Sequence, residues 1–198
     1  GLGGGIGADN TSWRYSLEAG HFRSDGIPSN VVFSQDHGYE NTHLADGLEG
    51  DLATGLKLNL DVTHAQGHSE LDASTGNEDF RNQVVSARLA HRVSDTWSQR
   101  LTLGHALYDY TTHSPTSPSK ITTRRSSLSW QHDLALIPAG LTTLGLDFWR
   151  DKADKDNSGS IHQSLDTVAV FAQQQWRGLG SDWVLGLRGD QHDSYGEK

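Results

Sequence analysis

The chain has 198 residues, a formal net charge of −9, a mean hydropathy of −0.60, and neither cysteine nor methionine. No apolar run approaches the ~20 residues that a membrane-crossing helix needs, so a helical membrane protein is excluded. The missing cysteine removes disulfides and thiolate chemistry, and the acidic balance disfavours nucleic acid as a partner.

Along the chain, a glycine-rich strand remnant from Gly1 leads into a first short turn, Ala8-Asp9-Asn10-Thr11. Four more turns follow: Ala53-Thr54-Gly55, Ser94-Asp95-Thr96-Trp97, Ile137-Pro138-Ala139-Gly140 and Gly178-Leu179-Gly180-Ser181. Successive turns start 41 to 45 residues apart. Each interval holds two stretches of alternating polarity and one Gly/Ser/Asp/Pro-rich loop. Nine strands are predicted at roughly 12–25, 41–52, 56–68, 81–93, 98–112, 121–136, 141–151, 163–176 and 183–194. Leu56, Leu58, Leu60 and Val62 oppose Lys57, Asn59, Asp61 and Thr63. Leu144, Leu146 and Phe148 oppose Thr143, Gly145, Asp147 and Trp149. Successive strand residues point to opposite faces, so each stroke has one apolar and one wet side; a helix would repeat every third or fourth position.

This layout, short turns at one end and long loops at the other, predicts an all-β, antiparallel up-and-down transmembrane β-barrel segment of about 9–10 strands. The alternative is a soluble β-sandwich with its apolar face inward. Three features favour the membrane: a charged wet face that suits an aqueous lumen, strokes of 11 residues or more against the ~9–11 that span a bilayer, and aromatic clusters at stroke ends. Trp13, Trp97, Trp176 and Trp183 lie near turns, and Tyr108, Tyr110 and Trp149 near the opposite ends. They predict two interfacial belts. The chain opens in mid-pattern without an initiator methionine or a leader-like stretch, so it reads as a segment of a longer protein. An open sheet leaves unpaired edge amides in lipid, so the strands either close alone as a small barrel or belong to a larger one.

Acidic residues gather in or beside the loops, among them Asp25, Asp36, Glu40, Glu70, Asp72, Glu78, Asp79, Asp151, Asp154 and Asp156. They are solvated loops, or contacts for divalent cations that bridge lipopolysaccharide. Asp154-Lys155-Asp156-Asn157-Ser158-Gly159-Ser160-Ile161 matches the first eight positions of an EF-hand loop, with Asp154, Asp156 and Ser158 as candidate calcium ligands. Leu165 stands where the bidentate Glu belongs, and the flanks read as strands. The 11 histidines are scattered; His91, His105 and His132 fall on the apolar register, for which a bulge is the simplest explanation. As an enzyme, a small barrel hydrolase would pair Asp109 with His113 or Asp190 with His192, but no nucleophile motif accompanies them.

Trp13-Arg14-Tyr15-Ser16-Leu17-Glu18-Ala19-Gly20-His21-Phe22-Arg23-Ser24-Asp25-Gly26 resembles a barrel stroke of TonB-dependent outer-membrane receptors. Gly38-Tyr39-Glu40-Asn41-Thr42 resembles the opening of their next strand, and Thr167-Val168-Ala169-Val170-Phe171-Ala172-Gln173-Gln174-Gln175-Trp176 a later one. The order is similar to that of the vitamin B12 (cobalamin) receptor branch. The resemblance implies that 1–198 is part of a 22-stranded barrel whose plug domain and remaining strands lie outside this chain. It implies a non-enzymatic receptor in the bacterial outer membrane that binds cobalamin or a ferric siderophore for import driven through the TonB complex. Lipid bilayer and lipopolysaccharide would surround it. A porin-like passive channel is the alternative without energy coupling. Ligand contacts would come from 26–40, 69–80, 113–120 and 152–162, with Phe33, Asp36, His37 and Tyr39 in the first loop and Tyr108 and Tyr110 at a strand top. The cobalamin branch often carries a calcium-binding aspartate cluster here, whereas this chain offers only Asp36 and Glu40.

Overall fold

The computed structural model describes residues 1–30, 33–71, 76–156, 160–178 and 180–193, and for 28–30 and 33–36 the backbone alone. The strands are β1 (Leu2–Asp9), β2 (Trp13–Ser24), β3 (Pro28–Asn30), β4 (Phe33–Asp36), β5 (Tyr39–Ala53), β6 (Leu56–Glu70), β7 (Asn77–Arg92), β8 (Trp97–His113), β9 (Ser119–Leu134), β10 (Gly140–Asp156), β11 (Ile161–Gly178) and β12 (Ser181–His192). Ten of them form one antiparallel sheet in chain order, and β3–β4 is a separate small hairpin. Each long strand therefore pairs with its chain neighbours, which a meander with short turns imposes.

All five turns fall where their residues predict them. Asn10 Oδ1 accepts from the backbone N–H groups of Ser12 and Trp13, at 2.9 and 2.8 Å. That side-chain turn reverses β1 into β2. Ala139 has a φ of 53° at the β9–β10 turn, where its N-terminal neighbour Pro138 keeps the chain from extending the strand.

The strands are longer at their other ends than the hydropathy pattern suggests. β8 runs to His113, β10 to Asp156, and β11 begins at Ile161. Strand pairing therefore reaches into the expected loops at 69–80, 113–120 and 152–162 from both sides, with Lys155 opposite Ile161 and Glu70 opposite Asn77. Only the segment between β2 and β5 is long, and it carries the unforeseen β3–β4 hairpin. The physical reason is that both faces are wet above the membrane: the polar alternation vanishes there while backbone pairing continues. An 18-residue strand such as β11 is about 60 Å long, and at a ~45° tilt it rises ~40 Å, well past a ~25 Å apolar band.

One hydrogen-bonded row shows the stagger. It runs Trp13–Gly50–Leu58–Leu89–Leu101–Trp130–Leu146–Val170–Gly189. It starts at the first residue of β2 and ends deep within β12, so the turns step along the sheet as they do when strands tilt about a barrel axis. The ten strands do not close: β1 and β12 pair only with β2 and β11. The alternative of a small barrel closed by these strands alone thus finds no support among the described residues.

Register assigns the faces. Leu58, Leu89, Leu101, Leu128, Leu146, Val170 and Leu187 share one face, and Asp61, Arg88, Thr102, Ser129, Asp147 and Arg188 share the other. Among the ten long strands the register shifts only between Asp51 and Ala53. The bulge invoked for His91, His105 and His132 is absent, and they stand on the apolar face. One ring nitrogen of each has a partner there. Gln99 Nε2 donates to His91 Nδ1 at 3.3 Å, Trp97 Nε1 donates to His132 Nδ1 at 3.2 Å, and His105 Nδ1 lies 3.1 Å from Ser126 Oγ. A hydrogen-bonded imidazole is far cheaper near lipid than a bare one.

Candidate functional site

The tryptophans near the turns sit on the apolar face. Trp176 stacks on Trp183 with centroids 6.2 Å apart and planes at 9°, and Trp130 tilts on His132 at 4.6 Å. Trp13 and Trp97 share that face by register. This is one interfacial belt, in which Trp97 and Trp130 donate their indole N–H groups to His132 and Gln99. The second expected belt is not there. Tyr108 and Tyr110 share the polar face with Asn82 and Phe80, and Trp149 shares it with Ser127. These rings look into the lumen.

They have company that the residue pattern did not single out. Tyr39, opposite Ser69, stacks on Phe80 at 5.9 Å with planes 16° apart, and Phe22 tilts against Tyr39 at 6.2 Å. Phe80 is opposite Tyr110, and Tyr108 lies two residues along the same face. Gly67 makes the stack possible: a Cβ there would sit 2.5 Å from the Phe80 ring and 2.0 Å from the Glu40 carbonyl oxygen. The result is an aromatic shelf of Phe22, Tyr39, Phe80, Tyr110 and Tyr108 across β2, β5, β7 and β8, at the end opposite the short turns. Phe22, Tyr39 and Tyr108 are each more than a third exposed. Asn41 and Asn82 belong to the same face, and their Oδ1 atoms lie buried without a hydrogen-bond partner. Carrying the strand parity through the β7–β8 turn would have put Phe80 with Tyr110. Phe22 was read only as part of a motif.

The rest of the named set is divided. His37 Nδ1 lies 3.3 Å from the Glu70 carbonyl oxygen, and the Glu70 carboxylate accepts from the Gly38 N–H at 3.2 Å. Gly26, at φ +77°, meets the His37 carbonyl so closely that any Cβ would be 2.0 Å from it. His37 thus belongs to the clamp at the base of the β2–β5 segment. The side chains of Phe33 and Asp36 lie outside the described residues.

Above the apolar band, the outward face becomes charged. Asp79 bridges His68 Nδ1 at 2.6 Å and His113 Nε2 at 2.9 Å, and Arg81 pairs with Asp109. Asp154 takes Arg124 at 2.8 Å and His162 at 2.9 Å. Hydrogen bonds from His68 and then His113 hold the Asp79 carboxyl below its ordinary value, against burial. A lowered carboxyl value means this bridge is intact above the ordinary carboxylate range and is lost as the pH falls through the lowered one. His162, with burial opposing and Arg124 assisting, lowers Asp154 in the same sense.

A calcium ion at Asp154 would have to displace both Arg124 and His162. Asp156 follows on the same face of β10, and Ser158 lies outside the described residues. Among the described residues no group of three His, Cys, Asp or Glu side chains is placed to hold a metal ion. The proposed acid–base pairs do not form: Asp109 faces Arg81 while His113 faces Asp79, and Asp190 faces Arg188 while His192 bonds Thr167 at 2.8 Å.

A staggered meander of long strands, apolar outside and polar within, is a wall segment of an outer-membrane β-barrel, and its fold is that of TonB-dependent receptors. Among known sequences it is 24% identical over 167 residues to the vitamin B12 transporter BtuB of Photobacterium profundum, covering 81% of this chain and 27% of that protein. The chain thus spans about a quarter of the length of that relative. Among solved structures it is similar to a double mutant of the Serratia marcescens hemophore receptor HasR in complex with its hemophore HasA and heme. That match has a TM-score of 0.80 and 18% identity, and covers 96% of this chain and 31% of the receptor. It is similar also to P. aeruginosa FpvA bound to pyoverdine, with a TM-score of 0.81 and 11% identity over 96% of this chain and 35% of that one. No protein-family model matches the chain.

Proposed function

We propose that the chain is part of the barrel of an outer-membrane active-transport receptor that takes up a scarce, bulky ligand, cobalamin or a ferric siderophore. In this reading a plug and further strands outside the chain complete the receptor, and import is energised through TonB. The observation that carries it is the aromatic shelf: five rings on the polar face, at the end away from the turns. A passive channel gains little from such a surface, whereas a large planar or ring-bearing ligand gains stacking area and meets the Asn41 and Asn82 amides alongside. The relative named as a vitamin B12 transporter and the fold shared with haem and siderophore receptors support the same reading.

The test is a titration of the full-length purified protein with cyanocobalamin, ferric siderophores and haem, followed by tryptophan fluorescence. Uptake is then measured in cells with and without TonB. The expected result is saturable binding of one ligand class and uptake that stops when TonB is removed. Binding of none of them, or uptake indifferent to TonB, contradicts the proposal.

A further inference from the structure

Eight of the chain's eleven arginines make ion pairs with carboxylates: Arg14, Arg23, Arg81, Arg124, Arg125, Arg150, Arg177 and Arg188. The other three, Arg88, Arg92 and Arg100, make neither an ion pair nor a side-chain hydrogen bond among the described residues. They are also neighbours. Ala90 is opposite Arg100, and Arg88 and Arg92 flank Ala90 on the same face of β7. Such diagonal positions lie ~7–8 Å apart, within reach of one another's long side chains. Lys57 is opposite Ala90 from the other side and has one partner, Asp51, at 3.5 Å. All three arginines are exposed.

The wall does not neutralise them, although carboxylates are near. Asp133, diagonal to Arg100, accepts from Thr143 at 2.7 Å and from Gln131 at 3.0 Å. Asp61, on the same face, accepts from Ser86 at 3.1 Å. A chain carrying −9 thus keeps a compact cationic patch on its lumen face, close to the short turns. Like charges held together repel, and guanidinium forks match carboxylates two-pronged, so this arrangement suits a partner that brings carboxylates to it. Lipid phosphates would lie beyond the opposite, apolar face of the sheet. The patch is set well below the aromatic shelf, away from a ligand seated there.

We infer that Arg88, Arg92 and Arg100 form a docking surface for an acidic polypeptide segment lodged in the barrel lumen. The inference rests on the receptor reading, in which the lumen is filled by further polypeptide of the same protein. Arginine forks give the segment a fixed height at the turn end. The same contacts weaken with added salt, because they lie in a wet lumen and are open to screening.

The test uses the full-length protein in outer-membrane vesicles. In the variant R88K/R92K/R100K each cation is kept but becomes an amine that a carbodiimide couples to a touching carboxylate. The expected result is a zero-length cross-link from one or more of these lysines to an Asp or Glu outside 1–198, identified by peptide mass spectrometry and lost in 1 M salt. Cross-links confined to Asp61 or Asp133, or no cross-link from a barrel that still shows a folded electrophoretic shift, overturn the inference. Attachment to a small anion or lipid, seen as protection by added phosphate with no peptide partner, also overturns it. Absence of the unsubstituted protein from the outer membrane would instead contradict the receptor reading itself. Charge reversal, R100E, gives a second readout: a lodged acidic segment becomes more accessible to protease, with the barrel still folded.

Discussion

Arginine in place of Leu128 should destabilise the inserted barrel by about 2–4 kcal/mol, while arginine at the adjacent Ser127 should leave its stability little changed. Leu128 lies on the apolar face between Leu103 and Phe148, in the middle of the band. A cation at the bilayer midplane costs about 2–4 kcal/mol on the lipid face of a barrel. That cost is a shift of roughly two orders of magnitude in the folded population at its centre, large against a marginal total stability. Ser127 is one residue away but faces the lumen with Gly104 and Trp149, where water solvates the added charge. The measurement is urea unfolding in vesicles, read from the gel shift of the folded barrel. Equal loss at both positions, or greater loss at Ser127, would mean that the faces are inverted or that no lipid is present.

Alanine at Tyr39 or Phe80 should weaken ligand binding at least about thirtyfold, with stability little changed. A central aromatic anchor at a binding surface is commonly worth about 2 kcal/mol or more, and the Tyr39–Phe80 stack ties the two rings into one surface. Tyr39 is 38% exposed, so its removal leaves no sealed cavity in a core. Phe80→Leu is the control for bulk: it keeps apolar volume over Gly67 but loses the flat face, so it should fall between wild type and alanine. Trp183→Ala, on the lipid face, should leave ligand affinity unchanged. Affinity unaffected by Tyr39→Ala and Phe80→Ala together would remove the shelf from the ligand path.

The meander was legible because its chemistry is local. Turn residues such as Asn10 and Gly55 act on their own backbone, and period-two alternation in 56–62 or 141–148 needs no distant information. The strand tops were illegible for the complementary reason. From 108 to 113 and from 150 to 156, both faces are wet, so polarity no longer marks the pleat. The β3–β4 hairpin lies where alternation is weakest. The site was half legible. Tyr39, Tyr108 and Tyr110 were named from the sequence, but their convergence with Phe22 and Phe80 depends on cross-strand pairing such as Tyr39 with Ser69 and Phe80 with Tyr110, which a single-strand pattern does not hold. The histidines show the opposite error. Read alone, His91 and His132 looked misplaced on an apolar register. Their cross-strand partners Gln99 and Trp97 resolve them, and a single-strand pattern does not contain partners.

The central claim is that the apolar face meets lipid and the charged face meets water. Residues 1–198 hold no cysteine, so a single cysteine placed among them is the one thiol of this stretch. Cysteines placed in turn at Leu101, Thr102, Leu103, Ala106, Leu107 and Tyr108 of β8 in the full-length protein would be treated, in intact outer-membrane vesicles, with a small water-soluble thiosulfonate. Rapid labelling is expected at 102, 106 and 108, protection at 101 and 103, and intermediate labelling at 107, which is opposite Arg124 at the edge of the apolar band. Equal labelling of both sets, or protection of the even positions and labelling of the odd ones, would contradict it.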